Sequence, residues 1–432
     1  MTGPRSDATM RFSTMRFSAK LLQAADEVER QIDGRLREID LLAEQNQWKV
    51  IEAFRRHRVS SFHFAGSTGY GYHDAGRETL DRVFADVVGA EAAIVRPQIV
   101  SGTHAIAVAL FGVLRPGDEL VSVGPPYDTL RTVLAGGPGT GSLADWGIRY
   151  AEVPLDAAGR PDWAALRRVL TPKTKVVALQ RSRGYGRRSP LSVRELGEIA
   201  DFVHGVQRDA VVFVDNCYGE FTEPTEPTEA GADLMAGSLI KNPGGGLAPT
   251  GGYIAGKAHW VRQAAERLTV PGVGGEVGPT LDLMRSLFQG LYFAPHCVGQ
   301  ALKGAVFAAA LCERLGLETS PRWDEPRTDL IQAIRLPDAE ALVAFVRGIQ
   351  EAGAVDSHVA PEPEPMPGYR DAVVMAAGTF VQGATLELSA DAPLREPYEV
   401  YFQGGLTYAH AKLGILTALQ RLMDEGRINV PM

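Results

Sequence analysis

The stretch Gly237-Ser238-Leu239-Ile240-Lys241-Asn242-Pro243-Gly244-Gly245-Gly246 sets one lysine between a small polar residue and a glycine-rich turn. Upstream of it by 26 residues, an apolar β-branched run, Val211-Val212-Phe213-Val214, ends on Asp215. Such a run reads as a buried strand of an α/β sheet, and its carboxylate then falls at the strand's carboxyl end, where these sheets bind ligands. A lysine placed after such a carboxylate meets the two demands of pyridoxal 5'-phosphate (PLP). The aspartate keeps the pyridine nitrogen protonated, and the lysine amine forms the Schiff base that a substrate amine displaces. Singly, each residue also has an ordinary reading, Asp215 as a helix cap and Lys241 as a solvated side chain.

Short β-branched runs recur on the amino-terminal side of the pair: Ala93-Ile94-Val95, Glu119-Leu120-Val121-Ser122-Val123 and Val176-Val177-Ala178-Leu179. They alternate with Ala- and Leu-rich helical stretches, which predicts a large, doubly wound, mostly parallel sheet domain over residues 62–311. Before it, residues 18–61 read as an N-terminal helical arm, with Leu21, Leu22, Ala25, Val28 and Ile32 at helical spacing. Residues 1–17, where Met10-Arg11-Phe12-Ser13 is echoed at Met15-Arg16-Phe17-Ser18, read as a disordered tail. Residues 312–432 read as a smaller C-terminal α+β domain, with a helix over 338–351, extended runs over 372–376 and 384–388, and a closing helix over 407–424. The proline-rich residues 361–368 and the Glu-Pro repeats of 222–228 exclude helix and central strand and read as stiff loops.

With 432 residues the chain can bury a large core. Its 44 basic against 52 acidic residues, a net charge of −8, argue against nucleic acid or an anionic membrane as the main partner. Three cysteines without a Cys-x-x-Cys pair make no disulfide framework, and a cytoplasmic location is expected. No apolar run has the length of a membrane span, and the start lacks a signal peptide's apolar core. Nine histidines without His-Glu-x-x-His or a close pair offer no zinc ligand set, so no metal is expected. Gly251 to Lys257 imitates a phosphate-binding P-loop, but Ala258 stands where a Mg²⁺-binding hydroxyl is required.

A cofactor phosphate calls for backbone N–H groups, hydroxyls and a helix N-terminus, and Val100-Ser101-Gly102-Thr103-His104 supplies them; the alternative is a plain helix cap. Ser238 is a further hydroxyl for that phosphate. Tyr127, after a strand, is a candidate to stack on the pyridine ring, or a core tyrosine at a turn. In Gln180-Arg181-Ser182-Arg183-Gly184-Tyr185, Gln180 is a candidate partner for the cofactor's phenolic oxygen, and Arg181 and Arg183 for a substrate carboxylate or phosphate. Surface or subunit-interface charges are the equal alternative for the two arginines. In Ser67-Thr68-Gly69-Tyr70-Gly71-Tyr72-His73-Asp74, the two tyrosines, with Arg77, are candidates to reach a cofactor in a neighbouring subunit.

On these motifs, with Val214-Asp215-Asn216-Cys217-Tyr218-Gly219-Glu220-Phe221, Gly378-Thr379-Phe380-Val381-Gln382-Gly383 and Gln403-Gly404-Gly405-Leu406-Thr407-Tyr408, the chain resembles the fold-type I PLP enzymes. It is most similar to the aluminium-resistance family, labelled methionine γ-lyase-like or cystathionine lyase-like, from about residue 18 to the end. The resemblance implies Lys241 as the Schiff-base lysine, Asp215 as the pyridinium partner and Tyr127 as the stacking ring. It implies Ser101, Gly102, Thr103 and Ser238 as the phosphate cradle, and Tyr70 and Tyr72 as contributions from a second subunit. Arg395, in Leu394-Arg395-Glu396-Pro397-Tyr398, resembles the small-domain arginine that holds a substrate α-carboxylate in related lyases. The implied activity is β- or γ-elimination on an L-amino acid, with γ-substitution, transamination or a non-catalytic PLP-binding stress protein as the alternatives. The implied assembly is a homodimer or homotetramer.

Overall fold

In the computed structural model of the chain, residues 17–156, 159–186, 188–366 and 369–428 are described. The tail expected over 1–17 therefore lies, apart from Phe17, outside the described residues, as do Pro367 and Gly368 of the proline-rich loop. Along the chain come α1 (Ala19–Arg56), α2 (Ala75–Val87), β1 (Ala92–Arg96), α3 (Gly102–Val113), β2 (Glu119–Val123), α4 (Asp128–Ala135) and β3 (Arg149–Val153). There follow α5 (Trp163–Val169), β4 (Thr174–Gln180), α6 (Val193–Val206), β5 (Val211–Asp215), β6 (Leu234–Ser238), β7 (Gly252–Gly256) and α7 (Ala258–Leu268). The remainder is α8 (Met284–Arg314), β8 (Thr319–Ser320), β9 (Gln332–Arg335), α9 (Ala339–Glu351), β10 (Val373–Ala376), β11 (Ser389–Pro393), β12 (Glu399–Gln403) and α10 (Tyr408–Asp424).

Seven strands form one sheet in the order β1-β7-β6-β5-β4-β2-β3. All neighbours from β6 to β3 are parallel, and β7 alone runs antiparallel, to both β6 and β1. The β5 strand is buried at all positions, which is why its sequence is a continuous apolar run rather than an alternation. Against one face pack α3 and α7, with Ile106, Ala109, Leu110, Val261 and Ala264 in one apolar cluster with Val176, Val211, Phe213 and Ile254. Eight of the twelve α3 residues are buried, so the helix is held on nearly all sides and its N-terminus is fixed in place.

Contacts divide the chain into a unit Leu42–His296 and a unit made of the described residues of Met1–Leu41 and Cys297–Met432. These divisions fall inside α1 and α8, where no composition shift or loop signals them. In the second unit an antiparallel sheet has the order β10-β11-β12-β9-β8, and α9 and α10 pack on each other. The extended run expected over 384–388 is instead a turn, and the strand begins at Ser389. The reason is local: the Glu387 carboxylate accepts the backbone N–H groups of Phe380 (2.9 Å) and Val381 (3.0 Å), folding the segment back on itself. Among the described residues, no helix is long and apolar enough to cross a membrane.

Candidate active site

Strand register aligns the carboxyl ends of three strands. Gln180 pairs with Asp215, and Asp215 with Ala236, two residues before Ser238. The α3 N-terminus is pressed onto the same edge. A Cβ at Gly102 would lie 3.0 Å from Cys217 Sγ and 3.3 Å from Ser238 Cβ, so glycine permits the close approach. Ser101 caps the helix, its Oγ accepting the His104 N–H at 3.0 Å, while the remaining first-turn N–H groups point out of the helix end. His104 Nδ1 in turn accepts the Val100 N–H at 3.1 Å, and burial lowers the pKa of its imidazole. The hydroxyls of Thr103 and Tyr127 lie 2.8 Å apart, which ties the Tyr127 ring to this cradle.

Asp215 is 5% exposed and accepts the Cys217 N–H at 3.1 Å. Burial pushes its carboxyl above the ordinary range, opposed by the Cys217 N–H and thiol, Lys241 and Arg188. The turn after β5 carries Tyr218 at φ 71° and Phe221 at φ 63°, a left-handed backbone that bulky residues adopt at a cost. That turn brings Tyr218 to Lys241, whose Nζ lies 3.7 Å from the ring centroid. Burial alone would lower the Lys241 ammonium; Tyr218, Cys217 and Asp215 outweigh it and raise the pKa. Tyr218 was not among the residues singled out from sequence. Its signal is the Asp-x-x-Tyr spacing, which places a phenol one tight turn beyond the strand-end carboxylate.

Other candidates are placed differently. Gln180 Oε1 accepts the Tyr127 N–H (3.1 Å) and its Nε2 donates one hydrogen to the Ser182 carbonyl (3.1 Å), which orients the Tyr127 backbone. Arg181 is 0% exposed, with ion pairs to Glu223 (2.7 Å) and Glu226 (3.2 Å) and a hydrogen bond to Asn216 Oδ1 (2.7 Å). This places it in the core, bound to the chain's own carboxylates. Arg183 is buried too, its Nε donating to the Gly186 carbonyl at 3.2 Å. Arg77, 1% exposed, donates to the carbonyls of Gly71 (2.6 Å), Gly278 (2.9 Å) and Glu276 (3.0 Å), so it ties the Gly71 turn to the segment 276–278. Tyr70 and Tyr72 on that loop stay 76% and 56% exposed. Arg395 belongs to the other unit, paired with Asp371 at 2.8 Å. Arg188, which sequence reading passed over, donates to the Gln180 carbonyl at 2.6 Å and adds positive potential at Asp215.

The Arg181 placement predicts a stability effect. Arg181→Met leaves Glu226 buried without its cation and is expected to cost about 3–5 kcal/mol in chemical denaturation. A variant of wild-type stability with a raised KM would instead assign Arg181 to substrate.

The donor set fits PLP: hydroxyls at a helix N-terminus for the phosphate, a buried carboxylate for a ring nitrogen and a buried amine for the aldehyde. Among the described residues, no group of acids, histidines and cysteines is arranged to hold a metal ion. A PLP-dependent protein of Escherichia coli, YhfS, shares the fold with a TM-score of 0.60 at 18% identity, over 88% of this chain and 96% of that one. Sheet and rim are those of the fold-type I PLP-dependent enzymes. The family model described as methionine gamma-lyase matches residues 21–423, and the chain belongs to that family. It is 52% identical over 420 residues to the uncharacterized protein YnbB of Bacillus subtilis, covering 96% of this chain and 100% of that one. A structure of a carbon-sulfur lyase involved in aluminium resistance from Clostridium novyi matches with a TM-score of 0.92 at 45% identity, over 97% and 100% of the two chains. A Clostridium acetobutylicum structure, with a provisional designation as a cystathionine beta-lyase involved in aluminium resistance, matches at 0.93 and 47%, over 97% and 100%.

Proposed function

We propose that the chain is a PLP-dependent carbon–sulfur lyase that acts on an L-amino acid by β- or γ-elimination, with Lys241 as the residue that binds the cofactor and moves the proton at Cα. The observation that carries this reading is that Asp215, buried at the end of β5, and Lys241, just past the end of β6, act on each other's charge beside the hydroxyl-lined start of α3. When bound, PLP supplies an electron sink for the pair left as a bond to Cα breaks. Ser101, Gly102, Thr103 and Ser238 would hold the phosphate, and Asp215 would serve the ring nitrogen. Tyr127, fixed by Thr103 and Gln180, would pack on the ring. Lys241 would be the base at Cα, and Tyr218, whose ring lies 3.7 Å from its Nζ, would steady the amine whenever it is released from the cofactor. The exposure of Tyr70 and Tyr72 supports a site completed by a second copy of the chain in a homodimer or homotetramer. The expected compartment is the cytoplasm.

A second reading is γ-substitution. It is favoured by a partial match, 28% identical over 193 residues, to the cystathionine gamma-synthase of Mycobacterium bovis, covering 43% of this chain and 44% of that one. Product analysis separates the two. Elimination releases a 2-keto acid and ammonia without an added nucleophile, whereas substitution needs a thiol and retains the amino group. Keto-acid formation only with a second amino acceptor would mean transamination instead.

A further inference from the structure

Each of the two central residues is followed by an asparagine, Asn216 after Asp215 and Asn242 after Lys241, and both asparagines end in one buried polar network. Asn216 Nδ2 donates to Glu226 Oε2 (3.0 Å) and to the Tyr253 phenolic oxygen (3.3 Å). The Tyr253 hydroxyl donates to Glu220 Oε1 at 2.7 Å. Asn242 Nδ2 donates to the backbone carbonyl of Glu220 at 2.9 Å. An unbroken path therefore runs from the residue after Asp215 to the residue after Lys241 through Tyr253 and Glu220. None of the four is more than 1% exposed.

The sequence keeps room for this path. A Cβ at Gly237 would lie 2.6 Å from both Glu220 Oε1 and the Tyr253 hydroxyl, so the β6 backbone closes over the Tyr253–Glu220 contact. The arrangement is costly as packing alone. Glu220 Oε2 and Asn242 Oδ1 are buried with no hydrogen-bond partner, and an apolar pair of similar volume would avoid that penalty. Burial pushes the Glu220 carboxyl up to about 8, opposed by the Tyr253 hydroxyl and Arg181 and reinforced by Glu226. Cys217 on the site side and Glu223 beside Arg181 are further titratable groups that face this network. Near neutral pH Glu220 is mostly protonated, and the hydrogen bond from Tyr253 is then between neutral groups.

We propose that Glu220 and Tyr253 are a positioning pair, fixing the spacing of Asp215 and Lys241, and so the fit of the cofactor, without touching the reacting atoms. The inference rests on the reading of Asp215 and Lys241 as the cofactor residues.

The test is titration of cofactor-free protein with PLP, followed by visible absorbance, for wild type, Tyr253→Phe and Glu220→Gln. Tyr253→Phe removes the link and is expected to weaken PLP binding by about tenfold. Glu220→Gln keeps the shape, so it binds as wild type does at about pH 6.5, where both side chains are neutral. Ionisation of wild-type Glu220 above about pH 8 then separates the two. The ratio of their Kd values is expected to change by at least about threefold between roughly pH 6.5 and 9.5. Should Tyr253→Phe fail to fold, that ratio decides. A normal wild-type band with unchanged affinity in Tyr253→Phe, or a constant ratio for Glu220→Gln, overturns the positioning pair alone. A wild type with no visible band on PLP addition overturns the underlying cofactor reading and the pair with it.

Discussion

Lys241→Ala is expected to lose turnover by about 10⁴-fold or more, and with it the visible band that the lysine–cofactor linkage gives to PLP-loaded protein. Lys241 follows β6 by three residues, its amine lies over Tyr218, and Asp215, Cys217 and Tyr218 together hold it charged in spite of burial. The lysine nearest in sequence, Lys257, lies beyond the far end of β7 and pairs with Asp233 at 2.5 Å. A variant that folds, loads PLP and still turns over at more than a few per cent of wild type would remove Lys241 from the chemistry. Added methylamine, a small substitute for the missing amine, should restore part of the rate if proton transfer is what was lost.

Asp215→Asn separates function from stability. The folded protein raises the Asp215 pKa, so this group stabilises the fold relative to the unfolded chain only at acid pH, and that contribution is lost as pH rises through the folded value. At neutral pH the buried carboxylate is therefore a burden on the cofactor-free protein. Asparagine keeps the shape and an acceptor for the Cys217 N–H while removing the charge. The cofactor-free variant is expected to melt no lower than wild type, with the advantage growing as pH rises from the ordinary carboxylate range through the raised folded value and constant above it. Turnover should nevertheless fall by about 10²- to 10³-fold, because the ring nitrogen loses its anionic partner. Equal losses of stability and activity would make Asp215 a structural residue. The retention of a charge that the fold itself disfavours is what a functional site leads one to expect.

The parts of this architecture legible in the sequence are those with local signatures. Continuous β-branched runs announce buried strands, and the Asp215 and Lys241 spacing marks the rim, because a strand end and the following turn lie close in both sequence and space. The reversed direction of β7 has no such signature: Tyr253-Ile254-Ala255 is as apolar as its parallel neighbours, and only pairing to β6 and β1 shows its sense. The fate of the polar residues after β4 was equally hidden. Gln180, Arg181 and Arg183 lie where a ligand-binding strand end would put them, yet Arg181 is claimed by Glu223 and Glu226 from the Glu-Pro segment. Read alone, that segment is a stiff loop. Sequence gives the residue types at a sheet edge; whether they face ligand or one another depends on which distant acids the fold delivers to them. Glu220 and Tyr253 illustrate the same limit, since 33 residues of chain separate two side chains 2.7 Å apart.

The most direct test of the account is the visible spectrum of the purified, PLP-supplemented protein during addition of a panel of sulfur-containing L-amino acids, with keto acid measured in the same cuvette. A yellow band that shifts with one of them while keto acid accumulates, and that is absent in Lys241→Ala, is the predicted result. A protein that stays colourless when PLP is supplied, or a band that no amino acid perturbs, would contradict it.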